Sequence, residues 1–326
     1  MQVIGIISSK VNAYVCFLSP TKDAVPKRER NDRIPALPSL IQSVTVTLKT
    51  RLRVAAIDFL NPAPLMWDFE HPPHSRELAE RYDLTYMKPS QCAESLLDGT
   101  ADLGLIPIAA LTPELAVVPG SAIASLDRVR SIQLIVKGDK EFRDVKTIAA
   151  DTASRSSLAY AHILFTKFLG ANPAFIPQSA DPVAMLKSAD AALLIGDPAL
   201  LALEARDTIE QQIGACQWFD IAHEWKLRTG LPWVAAVWAV CPDAVTDPSA
   251  LIADLDRSRV NGLAHIEDLV SEWTPRIAIP STTIRTYLTQ NIHYTLDQAC
   301  LEALHLFRRY AAEIEFLPPL PQPRFL

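Results

Sequence analysis

The sequence predicts an α/β fold of two lobes, joined by hinge strands, with a ligand cleft between the lobes. Three observations carry this. From Arg51 onward, strand-like apolar runs alternate with helix-like runs, the pattern of a mostly parallel sheet covered by helices. Two long apolar runs, residues 130–138 and 231–241, stand where the chain would leave a first lobe and return to it. Three short loops, FLNPAP (59–64), DTASRSS (151–157) and IGDPAL (195–200), each join an apolar run to a helix-like one. Such a loop aims free backbone N–H groups and the positive end of a helix dipole at one place, which favours carboxylates and phosphates.

RVAAIDFL (53–60) reads as a strand from its β-branched and apolar content. Pro62 and Pro64 then open a short helix, PLMWDF, because proline is tolerated in a first turn. DLTYMKP (83–89) is a second strand, and Ser90 is an N-cap candidate for a helix that ends at Gly99. LGLIPIAAL (103–111) is a third strand. AVVPGSAIASLD and RSIQLIVKG (130–138) are longer ones, followed by TIAAD (147–151) and a helix over 155–169 that stops at Gly170. PAFIPQ reads as a strand, PVAMLKSA as a helix and DAALLIG (190–196) as a buried strand. Asp197 would cap the helix that Pro198 starts.

WFDIAHEWKLRTG leads into LPWVAAVWAVC (231–241), a long apolar strand, after which the pattern is helical almost to the end. The last helix shows clear 3.6-residue periodicity through Leu296, Ala299, Cys300, Leu304, Phe307 and Ala311. The expected division is 51–133 with 241–326 in the first lobe and 134–240 in the second. Residues 1–50, polar and proline-punctuated over 20–39, read as a disordered N-terminal extension.

The 326 residues suffice for two domains, and at 49% hydrophobic they can bury a sizeable core. A net charge of −6 with no basic stripe argues against nucleic acid as a partner. The five cysteines are scattered without a C-x-x-C pair, which suits a reduced compartment. No apolar stretch approaches the ~18 residues of a membrane helix, and the N-terminus lacks a basic n-region and an A-x-A-like site. A cytoplasmic protein without a membrane partner is expected. His71 and His74 lie in HPPH, where the prolines prevent helical ligand spacing; H-E-x-x-H, G-x-S-x-G, P-loop and G-x-G-x-x-G motifs are absent. Neither a metal nor a cofactor is expected.

Asn61, directly after a strand, reads as a turn residue or as a group that orients a substrate hydroxyl, since its amide both donates and accepts. Asp151, Thr152, Ser154, Arg155 and Ser156 cluster at a helix start. Capping explains the hydroxyls, but Arg155 opposes the helix dipole there, and a bound anion would offset that conflict. Ser131 opens a strand, while Gly196 and Asp197 form either a plain turn and cap or a ligand loop.

FLNPAPLMW, DGTADLGLIPIAAL, RVRSIQLIVK, DTASRSSLAYAHIL, LLIGDPALL and EWKLRTGLPWVAAVW together resemble the chorismate dehydratases of the futalosine route to menaquinone. The resemblance runs through residues 51–315 in order. It implies a type II periplasmic-binding-protein-like fold and a cytosolic enzyme that dehydrates chorismate, a dianion, to 3-[(1-carboxyvinyl)oxy]benzoate. It further implies that Asn61 orients the leaving hydroxyl. Ser131, Thr152, Ser154 and Ser156 would hold carboxylates with Arg155, Gly196 and Asp197 nearby, and the substrate's own enolpyruvyl carboxylate would take the proton. Two departures stand out: Pro62 where the family more often has Thr, and Ala222-His223 where Gly-Glu is common. A non-catalytic small-anion-binding protein and the sister 1,4-dihydroxy-6-naphthoate synthase are the competing readings, the latter weakened by the lack of its Ser-Pro-Cys-Pro-Asn-Asp type opening.

Overall fold

The computed structural model describes residues 51–153 and 155–326; the expected N-terminal extension, residues 1–50, and Ser154 lie outside the described residues. In chain order the first elements are β1 (Leu52–Ile57), α1 (Trp67–Glu70), α2 (Ser75–Arg81), β2 (Tyr82–Met87), α3 (Pro89–Leu97), β3 (Leu103–Pro107) and β4 (Ala116–Ser125). Then come β5 (Ile132–Lys137), β6 (Thr147–Asp151), α4 (Ser156–Ile163), β7 (Ala174–Gln178), α5 (Pro182–Ser188), β8 (Ala191–Ile195), α6 (Gly196–Glu204), α7 (Arg206–Ile213), β9 (Cys216–Asp220) and α8 (Ile221–Thr229). The chain ends with β10 (Trp233–Val240), α9 (Pro248–Ala264), α10 (Ile266–Ile277), α11 (Ser281–Thr286), β11 (His293–Thr295), α12 (Gln298–Glu313) and β12 (Arg324–Phe325).

Two sheets result, one per lobe. The first has the order β11-β4-β10-β3-β1-β2, with β12 added to β4; the second has the order β7-β6-β8-β5-β9. Strands β3 and β8 are buried throughout, as strands covered on both faces must be. The expected mostly parallel sheets are mixed. β1 runs parallel to β2 and β3, and β6 parallel to β7 and β8, but β10 is antiparallel to β3 and β4, and β5 antiparallel to β8 and β9. The reversal follows from strands that enter a sheet after crossing from the other lobe. β10, the run expected to return the chain to the first lobe, lies in the first sheet.

Other departures have local causes. The strand expected over 103–111 stops at Pro107 and gives way to a 3-10 turn over Ile108–Ala110. The helical stretch after residue 248 breaks at His265, whose ψ of 35° leaves the helical region, so α9 and α10 are separate. Sequence reasoning missed α2 and α7, whose sequences SRELAER and RDTIEQQI carry too few apolar residues to mark a buried stripe. No helix among the described residues is long and apolar enough to cross a membrane.

One packing contact sets the position of the 59–64 loop. The 3-10 turn Ala63–Met66 that follows Asn61 lies against α9. A Cβ on Gly262 would stand 2.0 Å from the Pro64 carbonyl oxygen, so only glycine permits this approach. Glycine costs a helix interior about 1 kcal/mol against alanine, a cost the close packing offsets. One turn earlier on α9, the buried Ser258 Oγ donates to the Leu65 carbonyl at 2.8 Å and accepts from the Asp68 N–H at 3.0 Å. Gly262→Ala is expected to destabilise the protein by about 1–3 kcal/mol through overpacking. A denaturant midpoint equal to that of the wild type would show that the loop is not held by this contact.

Candidate functional site

The carboxyl ends of β1, β3, β6 and β8 and the start of β5 border one cavity of about 50 Å³. The first lobe contributes Ile57, Phe59, Asn61, Pro107 and Ile123, and β10 adds Trp233, Ala235 and Ala236. The second lobe contributes Ser131 and Ile132, the segment Ala153, Arg155, Ser156 and Ser157, and the pair Ile195 and Gly196. Of the residues expected from sequence, Asn61, Ser131, Arg155, Ser156 and Gly196 meet here. Thr152 is exposed and Asp197 stands behind the wall; neither lines the cavity, and Ser154 lies outside the described residues.

Two helices, α4 and α6, begin on this cavity, and neither start is capped by a side chain. Asp181, Asp220, Asp247 and Asp297 cap α5, α8, α9 and α12, and none of the four lines the cavity, while α1, α2, α7, α10 and α11 start without a side-chain cap as α4 and α6 do. The positive dipole ends of α4 and α6 face the cleft. This alters the expected turn chemistry. Asp197 was expected to cap the helix begun by Pro198; instead the helix starts at Gly196, and the Asp197 Oδ1 accepts from the Leu60 N–H of the other lobe at 3.1 Å. The Gly196 N–H is occupied by the Ser131 carbonyl at 2.8 Å. Gly196 has φ +62°, and a Cβ there would lie 2.7 Å from the Phe59 ring.

The polar side chains have definite partners. Ser156 Oγ donates to the Ala235 carbonyl at 2.9 Å and accepts from the Ala109 N–H at 3.3 Å, so its hydroxyl joins the lobes and does not cap α4. Arg155, expected to need an anion, has one in Glu94 of α3, with Nη2 and Oε1 2.8 Å apart. Asn61 Oδ1 and the Trp233 indole Nε1 are buried without a hydrogen-bond partner within the protein. Unsatisfied buried polar groups cost about 1–3 kcal/mol each, so they mark where a ligand would gain most.

The turn before β5 brings Ser131 into place. Arg130 adopts φ +63°, a region unfavourable for a side chain with a Cβ, and its N–H is held by Asp220 Oδ2 at 2.7 Å. Ser131 accepts a hydrogen bond at 2.8 Å from the hydroxyl of Tyr287, a fully buried residue in the C-terminal helices that the sequence analysis did not single out. Ser157 and the apolar lining from Phe59 to Trp233 were also missed, since their patterns match ordinary strand and helix residues.

Metal-binding side chains gather elsewhere: His293, Asp297 and Cys300 bring ligand atoms within 4.8 Å of one another. Asp297 there caps α12 and pairs with His293 at 2.8 Å, and burial pushes the Cys300 thiol up to about 12, which disfavours the thiolate a metal requires.

Burial pushes the Asp197 carboxyl up to about 6 from 3.8; the nearby Asp58 adds to this, while the Leu60 N–H and Arg276 oppose it. The folded protein thus retains a proton that the unfolded chain has released. This contribution to stability is fully present below 3.8 and is lost as pH rises through about 6. Asp197→Asn, which keeps the acceptor oxygen, is expected to gain on the order of 2 kcal/mol relative to wild type between acid and neutral pH. Urea unfolding on both sides of the transition measures this, and a pH-independent difference would refute it.

The menaquinone biosynthesis family model matches residues 52–313. The chain is 27% identical to the chorismate dehydratase of Thermus thermophilus over 230 residues, 67% of this chain and 83% of that protein. A structural-genomics protein from Archaeoglobus fulgidus shares the fold with a TM-score of 0.65 at 13% identity, covering 82% of this chain and 99% of that one. The periplasmic aliphatic sulphonate binding protein of Escherichia coli superposes with a TM-score of 0.58 at 15% identity, covering 85% and 94%. A Candida albicans protein described as having the generic periplasmic binding protein fold gives 0.55 at 12%, covering 85% and 97%. The two-lobed architecture is that of periplasmic binding proteins, and with a family match spanning nearly all of the described residues, the chain belongs to the menaquinone biosynthesis family.

Proposed function

We propose that this chain is a chorismate dehydratase: a cytoplasmic carbon–oxygen lyase that converts chorismate to 3-[(1-carboxyvinyl)oxy]benzoate and water, the first step of the futalosine route to menaquinone. The observation that carries the reading is the meeting of Asn61, Ser131 and the uncapped starts of α4 and α6 on one mainly apolar cavity, in a chain of the menaquinone biosynthesis family. The named relative from Thermus thermophilus supports the specific reaction.

The chemistry suits these groups. Chorismate carries two carboxylates and a ring hydroxyl. Helix N-termini and Ser131 favour the carboxylates, with Ser154 and the backbone of Ser156 assigned to the same task, while the Thr152 N–H is held by the Gln178 carbonyl. Arg155 would exchange Glu94 for a substrate carboxylate. The unpartnered Asn61 Oδ1 would accept from the ring hydroxyl and hold it for departure.

In the reaction a ring C–H bond breaks and its proton passes to the substrate's enolpyruvyl carboxylate. The C–O bond then breaks, the departing hydroxide takes up a proton as water, and the ring becomes aromatic. Among the described lining residues none is a carboxylate or an imidazole, which fits a substrate that brings its own base. The protein's part is then positioning and electrostatic complementarity.

Purified protein mixed with chorismate is expected to release the aromatic product, followed by chromatography. Tight binding without conversion would replace the enzyme with an anion-binding protein. Asn61→Ala is expected to lower kcat by about 100-fold while changing binding far less; an unaltered rate removes Asn61 from the reaction. Glu94→Gln frees the Arg155 guanidinium and is expected to lower KM about two- to five-fold, the scale of an exposed ion pair. An equal or higher KM would mean that Arg155 does not reach the substrate.

A further inference from the structure

We infer that Ser157 is a substrate-binding residue whose hydroxyl, at the start of α4, donates to a carboxylate of the ligand, the part that the family resemblance gave to Ser156. For the identity of its ligand this inference rests on the dehydratase reading above.

The two serines are neighbours in the chain, and their hydroxyls meet different surroundings. Ser156 and Tyr160, four residues apart, share one face of α4, and that face is turned to β10. Ser156 Oγ donates to the Ala235 carbonyl at 2.9 Å, and the Tyr160 hydroxyl donates to the Val234 carbonyl at 3.1 Å. Ser156 Oγ also accepts from the Ala109 N–H, so its hydroxyl is spent on the fold. Ser157 stands about 100° further round the helix and is turned away from those carbonyls. It lines the cavity at 5% exposure, and among the described residues its hydroxyl makes no hydrogen bond. A helical serine commonly turns its hydroxyl back onto the carbonyl of the preceding turn; Ser157 does not. Only one carbon separates its oxygen from the backbone, so a serine that borders the cavity brings its hydroxyl to it.

The setting selects an anion as the partner. α4 begins at this point without a capping side chain, and its positive end faces the same cavity. Arg155 lines the cavity two residues earlier, and none of the described lining residues is a carboxylate. A neutral ligand hydroxyl would gain one ordinary hydrogen bond from Ser157. A carboxylate gains a charge-assisted one, roughly twice as strong, together with the helix dipole.

Two alanine variants of the full chain test this. Ser157→Ala removes a single oxygen and leaves a strong helix former, so its denaturant midpoint is expected to equal or exceed that of the wild type. Ser156→Ala loses two bonds to the protein and is expected to lower the midpoint. Affinity is read by calorimetry with the product 3-[(1-carboxyvinyl)oxy]benzoate, which is not consumed. Its two monoamides, each with a neutral carboxamide in place of one carboxylate, are measured beside it. Ser157→Ala is expected to raise Kd for the product, and KM for chorismate, about 10-fold or more, the scale of a hydrogen bond to a charged group. With one monoamide, and not with the other, the penalty is expected to fall to about three-fold.

Unchanged Kd and KM in Ser157→Ala overturn the assignment and leave the dehydratase reading standing. A lowered midpoint with unchanged affinity, the pattern of a hydroxyl spent on the fold, overturns it as well. Equal penalties for the product and both monoamides overturn the carboxylate as partner. Wild-type protein that binds the product without converting chorismate overturns the dehydratase reading alone, and the Kd series still decides Ser157. Neither binding nor conversion overturns both.

Discussion

The architecture of this protein depends on the close approach of Phe59 to Gly196. One residue belongs to a loop of the first lobe, the other to the first turn of α6 in the second. Gly196, with its positive φ and no Cβ, lets the aromatic ring press against the helix start. The next bond along, from the Leu60 N–H to Asp197, fixes the same two loops in register. Without this approach, Asn61 and the N-terminus of α6 would not share a cavity.

Around that contact, each lobe supplies what the other lacks. The second lobe brings helix ends and small hydroxyl residues, and the first brings the amide of Asn61 and apolar walls. Ser156 spends its hydroxyl on the backbone of the β10 strand and of the turn after β3, and Arg155 meets Glu94 across the same gap. These polar bonds lie beside an apolar core that runs on from one sheet to the other, where Tyr160 of α4 packs against Trp233 and Phe307. Polar links of this kind exchange more readily with a charged ligand than packed side chains do.

Aspartates cap four helices elsewhere; the two that open on the cleft, like α1, α2, α7, α10 and α11, carry no capping side chain. A capping carboxylate there would repel an anionic ligand and compete for the same N–H groups. Sequence alone pointed to Asp197 as a cap because aspartate before proline commonly plays that part. The fold instead turns its carboxyl toward Leu60, behind the cavity wall, where burial raises it above the usual carboxylate range.

Much of the fold was legible in the sequence because strand and helix patterns are local. The runs that became β1, β6, β8 and β10, the loops between them, and Asn61, Ser131 and Arg155 as polar residues at strand ends are all visible as spacing and composition. Tertiary structure decided what spacing does not encode. The direction of β5 and β10 depends on where the chain re-enters a sheet, and the partners of Arg155, Ser156 and Asp197 lie 61, 79 and 137 residues away. Tyr287 is the clearest case, since nothing in TTIRTYLTQN distinguishes it from a core tyrosine until folding brings it to Ser131, 156 residues earlier. A side chain's type and local setting are written in sequence. Its hydrogen-bond partner is a fact of three-dimensional proximity, and it is that partner which decides whether a polar group is spent on the fold or kept for a ligand.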